Sequence, residues 1–124
     1  MITPGALSGG YAANDNTQNT QIVRFPITLS GNYGSASSHG DTLDFGKVYG
    51  LQSQSVPLRV FVYQQPASGT APGNCSAVFC PGSTIHNGVV SFANAGNELT
   101  EGAAYSGAAA SAVWVVEAVF PALV

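Results

Sequence analysis

The 124-residue chain has few side chains able to do chemistry: His39 and His86, six carboxylates, two cysteines, and three bases, Arg24, Lys47 and Arg59. Asp41 and Asp44, in HGDTLDFG, are a candidate acid–base pair. On a strand, positions three apart point to opposite faces, so the spacing does not suit two carboxylates sharing one proton. His39, Asp41 and His86 could together ligate a metal. The simpler reading makes Asp41 a turn residue bonded to backbone, and His86 a solvated neighbour of Asn87-Gly88. Glu98 and Glu101, in NELTEG, offer little to calcium, which takes 6–8 oxygens. With two histidines a Ser–His–Asp triad would be coincidence, and no G-x-S-x-G elbow, P-loop or dinucleotide fingerprint occurs. Cys75 and Cys80 lack the further Cys or His that zinc requires. If CSAVFC is extended, their Cα atoms lie roughly 16–17 Å apart, beyond the ~7 Å that a disulfide spans; if it curls, a disulfide could close it. The simpler reading is two free thiols. The expectation is a protein that is not an enzyme, with no catalytic residues, no cofactor and no metal.

Composition narrows the classes further. Charged residues make up 7% of the chain, against a usual ~25%, and Gly, Ala, Ser, Thr, Asn and Gln take their place. Hydrophobic residues at 45% argue against intrinsic disorder. Net charge is −3, and three scattered bases cannot form the basic cluster that nucleic acid or an anionic membrane surface requires. No apolar run approaches 18 residues, the length of a transmembrane helix. The N-terminus lacks the basic and apolar regions of a secretory signal.

Whatever the chain does must therefore be done by its surface, which strands position. Residues 1–20 show neither a helical nor a strand period and are expected to form an extended arm, with Tyr11 as its anchor. Residues 21–124 are expected to form one domain. In TQIVRFPITLSG, Val23, Phe25, Ile27 and Leu29 alternate with polar positions, the pattern of a half-buried strand. Pro26 has no N–H, so this strand should lie at an edge or turn that position outward. In VPLRVFVYQQ, Leu58, Val60 and Val62 share one face while Arg59, Phe61 and Tyr63 share the other. Neither face is polar, so core covers one and a loop or partner the other. STIH-NG-VVSF reads as a hairpin on a two-residue Asn87-Gly88 turn. SAVWVVEAVFP is a long central strand with Glu117 marking its outer face. AAYSGAAASA is spoiled as a helix by Gly107 and its serines. Seven or eight strands between Gly/Pro/Asn/Ser turns give an all-β antiparallel sandwich, jelly-roll-like. The candidate partner-facing residues are Tyr11, Arg24, Arg59, Phe61 and Tyr63.

The order of the motifs SGNYG, GDTLDFG, VPLRVFVYQ, NAGNELTEGAAYSG and VWVVEAVFP, over residues 20–121, resembles the capsid decoration, or cement, proteins of tailed bacteriophages. The resemblance implies a structural virion protein, made in the host cytoplasm and bound outside the icosahedral shell. Its partners would be the major capsid protein and further copies of itself, as a dimer or trimer. Nucleic acid and membrane would not be partners. The rival expectation is a receptor- or glycan-binding β-sandwich of a phage tail appendage, using Tyr11, Tyr33, Tyr49 and Tyr105, which sit beside glycines in loops.

The placement of the three bases makes a first prediction. Arg24 and Arg59 fall within expected strands, so native trypsin cleavage should be slow and should begin at Lys47. Rapid cleavage at Arg59, read by mass spectrometry, would contradict the strand assignment.

Overall fold

Residues 1–7, 13–15, 20–34, 39–51, 55–65, 69 and 71–121 are described by a computed structural model of the chain. The strongest alternating segments pair as the centre of the first sheet. Strand β3 (Thr20–Leu29) lies antiparallel to β9 (Trp114–Pro121), in a register that joins Val23 to Ala118 and Phe25 to Val116. Strand β5 (Arg59–Gln64) pairs with the other edge of β9. Val23, Phe25 and Ile27 face inward and are buried, as their alternation requires.

The other edge of β3 carries two short strands, β1 (Ile2–Pro4) and β2 (Ala13–Asp15). Residues 2–4 and 13–15 therefore belong to the sheet rather than to an arm off the core, while residues 8–12 and 16–19 of the expected arm lie outside the described residues. Ile2 is buried in the core cluster, and its strand pairs Ile2 with Leu29. The physical reason is tertiary. One apolar side chain is too little to give a readable period, but it fills the end of a sheet that other strands have built. Pro26 also finds its explanation here. Its carbonyl accepts from Gly5 N at 2.7 Å, and β1 ends at Pro4. N–H and C=O of one strand residue point to the same edge, so the missing donor faces the place where β1 stops. Gly5 permits the approach, since a Cβ there would lie 2.9 Å from Pro26 Cγ.

The second sheet runs β4 (Asp41–Leu43), β7 (Gly88–Asn94), β6 (Cys75–Cys80), with β8 (Asn97–Glu98) also on β7. The two sheets face each other as an antiparallel sandwich, β1 beside β4 along one side and β5 beside β6 along the other. The expected Asn87-Gly88 hairpin is replaced. The preceding strand that pairs with β7 along its length is β6, with Phe79 opposite Val90 and Ala77 opposite Phe92. Residues 81–87 form a longer connection, in which Asn87 Oδ1 accepts from Thr84 N at 2.9 Å. That side-chain bond closes the turn and takes Asn87 out of a type I′ position. Gly88 is needed for a different reason: a Cβ would lie 2.4 Å from the Phe79 ring.

Helix α1 (Gly107–Ser111), in the Ala-rich stretch read as non-helical, is a single short turn. Propensity alone would not hold it. Asn94 Oδ1 accepts from Ala109 N at 2.7 Å, and Trp114 Nε1 donates to Ala109 O at 2.9 Å. Tertiary hydrogen bonds thus fix both sides of a helix too short to sustain itself.

The core is aromatic. A 3₁₀ turn (Phe45–Lys47) carries Phe45 between the sheets, where it meets Phe25, Phe120 and Phe79 edge-to-face at centroid distances of 6.0, 5.3 and 5.9 Å. A second cluster centres on Phe92, with Trp114 at 5.2 Å, Tyr105 at 5.8 Å and Tyr33 at 6.4 Å.

The N-terminal strand gives a direct test. Replacing Ile2 with Ala should cost about 2–4 kcal/mol of unfolding free energy, the usual range for a buried isoleucine. Deleting residues 1–5 should cost at least as much. Urea unfolding followed by tryptophan fluorescence measures both, and an unchanged midpoint for the deletion would return this segment to the status of a free arm.

Candidate functional site

Four of the five residues expected to meet a partner share one surface, the outer face of the first sheet. Strand register places them in rows. The first row is Ile22, Val119, Arg59; the second is Arg24, Glu117, Phe61; the third is Pro26, Val115, Tyr63. Val115 and Val119 are buried beneath their neighbours. Phe61 is 55% exposed, Ile22 41% and Tyr63 39%. The fifth expected residue, Tyr11, lies outside the described residues.

One ion pair sits in the middle of this apolar face. Arg24 Nη2 donates to Glu117 Oε1 at 2.6 Å across the β3–β9 register. The guanidinium is held above its ordinary range, first by that hydrogen bond and then by Tyr63 beside it. Both groups are substantially exposed, so the pair contributes little to folding. It gives the face one fixed polar mark, while the surrounding rings give it area. Beside the face, β5 and β6 bound an open cleft of about 540 Å³, with Val62, Ala77 and Phe79 in its walls and Phe61, Tyr63 and Val78 at its rim. Val78 is 60% exposed. The apolar surface therefore continues from the outer face around the β5 edge.

The groups considered for chemistry lie elsewhere. Asp41 is fully buried. It does not cap a turn through backbone: Oδ2 accepts from the Tyr105 hydroxyl and lies 3.3 Å from the Met1 ammonium. Asp44 caps the 3₁₀ turn by accepting from Gly46 N at 2.8 Å, and also contacts His86 Nδ1 at 2.7 Å. His86 is exposed, as expected, and is also held by a carboxylate, a pairing across 42 residues that no local pattern announces. His39 lies near Glu98 and Glu101 instead of near Asp41's carboxylate or His86, at 3.6 and 3.3 Å. Cys75 and Cys80 are free, on opposite faces of the extended β6, and burial pushes the Cys75 thiol up. Neither His–carboxylate grouping could be read from spacing, because each joins segments far apart in the chain.

The loop tyrosines scatter. Tyr33 is wholly buried and Tyr49 is 91% exposed. Tyr105 is half-buried, packed edge-to-face on Tyr33 at 5.7 Å. Tyr33 donates no partner-facing hydroxyl; its oxygen accepts from Phe92 N at 3.3 Å.

No family model, curated protein or solved structure matches the chain.

The buried hydroxyls carry a pH prediction. Burial pushes both Tyr33 and Tyr105 up, and the Asp41 carboxylate pushes Tyr105 further. Tyrosine in an unfolded chain ionises near pH 10. The folded values lie above that, so the stability these hydroxyls contribute is complete below about pH 10 and is lost as pH rises beyond it. Urea midpoints should fall steeply above about pH 10, and Tyr105→Phe should flatten the fall. An equal slope in the variant would assign the alkaline loss to other groups.

Proposed function

We propose that the protein is a structural docking module, not an enzyme, that binds the outside of a tailed-phage capsid and stabilises contacts between major capsid subunits. The observation that carries this reading is the outer face of the first sheet. Arg24, Arg59, Phe61 and Tyr63 converge there around one ion pair, with large apolar side chains in the open. A contiguous patch of exposed large apolar side chains is the physical mark of a protein–protein contact. Phe, Tyr and Arg are the residue types that anchor such contacts, because each brings large area or several donors for little lost freedom. Scarce charge suits the same role, since a flat interface between many subunits would have to desolvate every charge it covered. The motif order over residues 20–121 supports the capsid as the partner, with jelly-roll-like wiring and self-association as further parts of the same proposal.

The rival, a glycan- or receptor-binding appendage domain, would gather exposed rings into one groove. The loop tyrosines do not supply one, with Tyr33 in the core and Tyr49 alone on a turn; the exposed rings beside an open cleft are Phe61 and Tyr63, on the face proposed for docking. The N-terminal segment pairs within the sheet, so it does not separate the two readings.

The test is attachment. Full-length protein mixed with undecorated capsids should co-sediment, and image reconstruction should place it outside the shell. Phe61→Ser and Tyr63→Ser should each weaken occupancy about tenfold or more, the scale of an anchor residue, with far-ultraviolet circular dichroism and melting nearly unchanged. Wild-type occupancy by the double variant would remove this face as the contact. Absence of wild-type attachment to any capsid would remove the proposal.

A further inference from the structure

Two carboxylates and an imidazole meet at one end of the sandwich, away from the docking face. His39 precedes β4, Glu98 ends β8, and Glu101 lies in the turn after it. His39 Nδ1 lies 3.3 Å from Glu101 Oε1 and 3.6 Å from Glu98 Oε2, and one donor atom from each of the three residues lies within 4.8 Å of the others.

These separations have a chemical meaning. Nitrogen and oxygen ligands bind zinc at roughly 2.0–2.2 Å in a tetrahedron, whose edges are then roughly 3.3–3.6 Å. Both distances from the imidazole nitrogen fall in that range. Two carboxylates share one imidazole, and the chain's three bases are placed on other elements: Arg24 and Arg59 on the outer face, Lys47 in the 3₁₀ turn. The cluster therefore carries unbalanced negative charge that a cation would neutralise.

The main chain of His39 is fixed beside Glu101. His39 sits at φ 60, a left-handed conformation uncommon outside glycine. Its N–H donates to the Glu101 carboxylate, and its carbonyl accepts from the Ser91 hydroxyl. Gly34 leaves room for Glu101, since a Cβ there would lie 3.1 Å from Glu101 Cγ.

We propose that His39 Nδ1, Glu98 and Glu101 form a binding site for one divalent transition-metal ion of the zinc class, with water completing the coordination. An imidazole with two carboxylates suits zinc, cobalt or nickel; calcium and magnesium favour all-oxygen sets. The ion would join the loop before β4 to the turn after β8. This goes beyond the docking reading and is independent of it, and it departs from the expectation of no metal drawn from the sequence.

Full-length protein freed of metal by chelation is titrated with zinc chloride in a calorimeter, and with cobalt chloride by visible absorption. One equivalent should bind, with cobalt giving the absorption of low-coordinate nitrogen–oxygen ligation. Zinc at about a hundredfold over its Kd should raise the Tm by about 5–10 °C; calcium and magnesium at that concentration should not. His39→Gly suits the left-handed backbone and removes the imidazole, while Glu98→Gln keeps the shape and removes the charge. Each should weaken binding about a hundredfold, since even outer-shell partners of a metal are worth roughly 10–100-fold, and each should keep the metal-free Tm. The Cys75→Ser, Cys80→Ser double variant should bind as the wild type. No saturable zinc binding would overturn the proposal. So would zinc binding that survives His39→Gly and Glu98→Gln but is lost with the cysteines.

Discussion

The two sheets are held together through Phe45. Its ring touches Phe25 and Phe120 of the first sheet and Phe79 of the second, yet it belongs to a 3₁₀ turn rather than to either. With only nine charged side chains among Asp, Glu, Lys and Arg, the fold has little electrostatic means of joining its layers. Aromatic rings meeting edge-to-face supply area together with a directional preference that aliphatic packing lacks. The surroundings of Phe45 serve to place that ring. Asp44 caps the turn, Phe45 N donates to Ile85 O at 2.9 Å, and Gly46 leaves room for the His86 ring, which a Cβ would approach to 2.4 Å.

The second aromatic cluster is tied to the only deeply buried carboxylate among the described residues. Tyr105 packs on Tyr33 and Phe92 while its hydroxyl donates to Asp41. A buried carboxylate is costly unless hydrogen-bonded, so Asp41 fixes where Tyr105 and the N-terminal end of β1 must sit. Polar specificity here comes from one group, and the apolar remainder of the core packs around it.

Alternation made β3, β5 and β9 legible, because each is long enough for its period to be counted and each has one face on the core. Arg24, Arg59, Phe61 and Tyr63 could be placed outward for the same reason. Their convergence on one face could not be read, since it depends on β9 lying between β3 and β5. Local signals failed where longer-range contacts competed with them. Asn87-Gly88 has the composition of a tight turn, but the Asn87 side chain bonds to Thr84 and the strand partner lies further back. Residues 1–20 have no period, yet Ile2 completes a sheet made by strands elsewhere. Gly107 and its neighbours are poor helix formers, but Asn94 and Trp114 impose a turn of helix from outside. His39, Glu98 and Glu101 come together through loop closure, which leaves no trace in spacing.

The pairing of β3 with β9 sets the order in which the molecule can assemble as it is made. Arg24 meets a partner 93 residues further along the chain, so the central ladder of the first sheet waits until β9 has emerged from the ribosome. Strands β6, β7 and β8 are consecutive and close at short range, and can pair well before that. During the interval β3 has only the short β1 and β2 on one edge, so its β9 edge and the apolar face of Val23, Phe25 and Ile27 stay open, a slow, non-local topology that exposes the strand to association with its neighbours. The open N–H position lost at Pro26 and the charge at Arg24 both lie in that strand, where they discourage such mispairing.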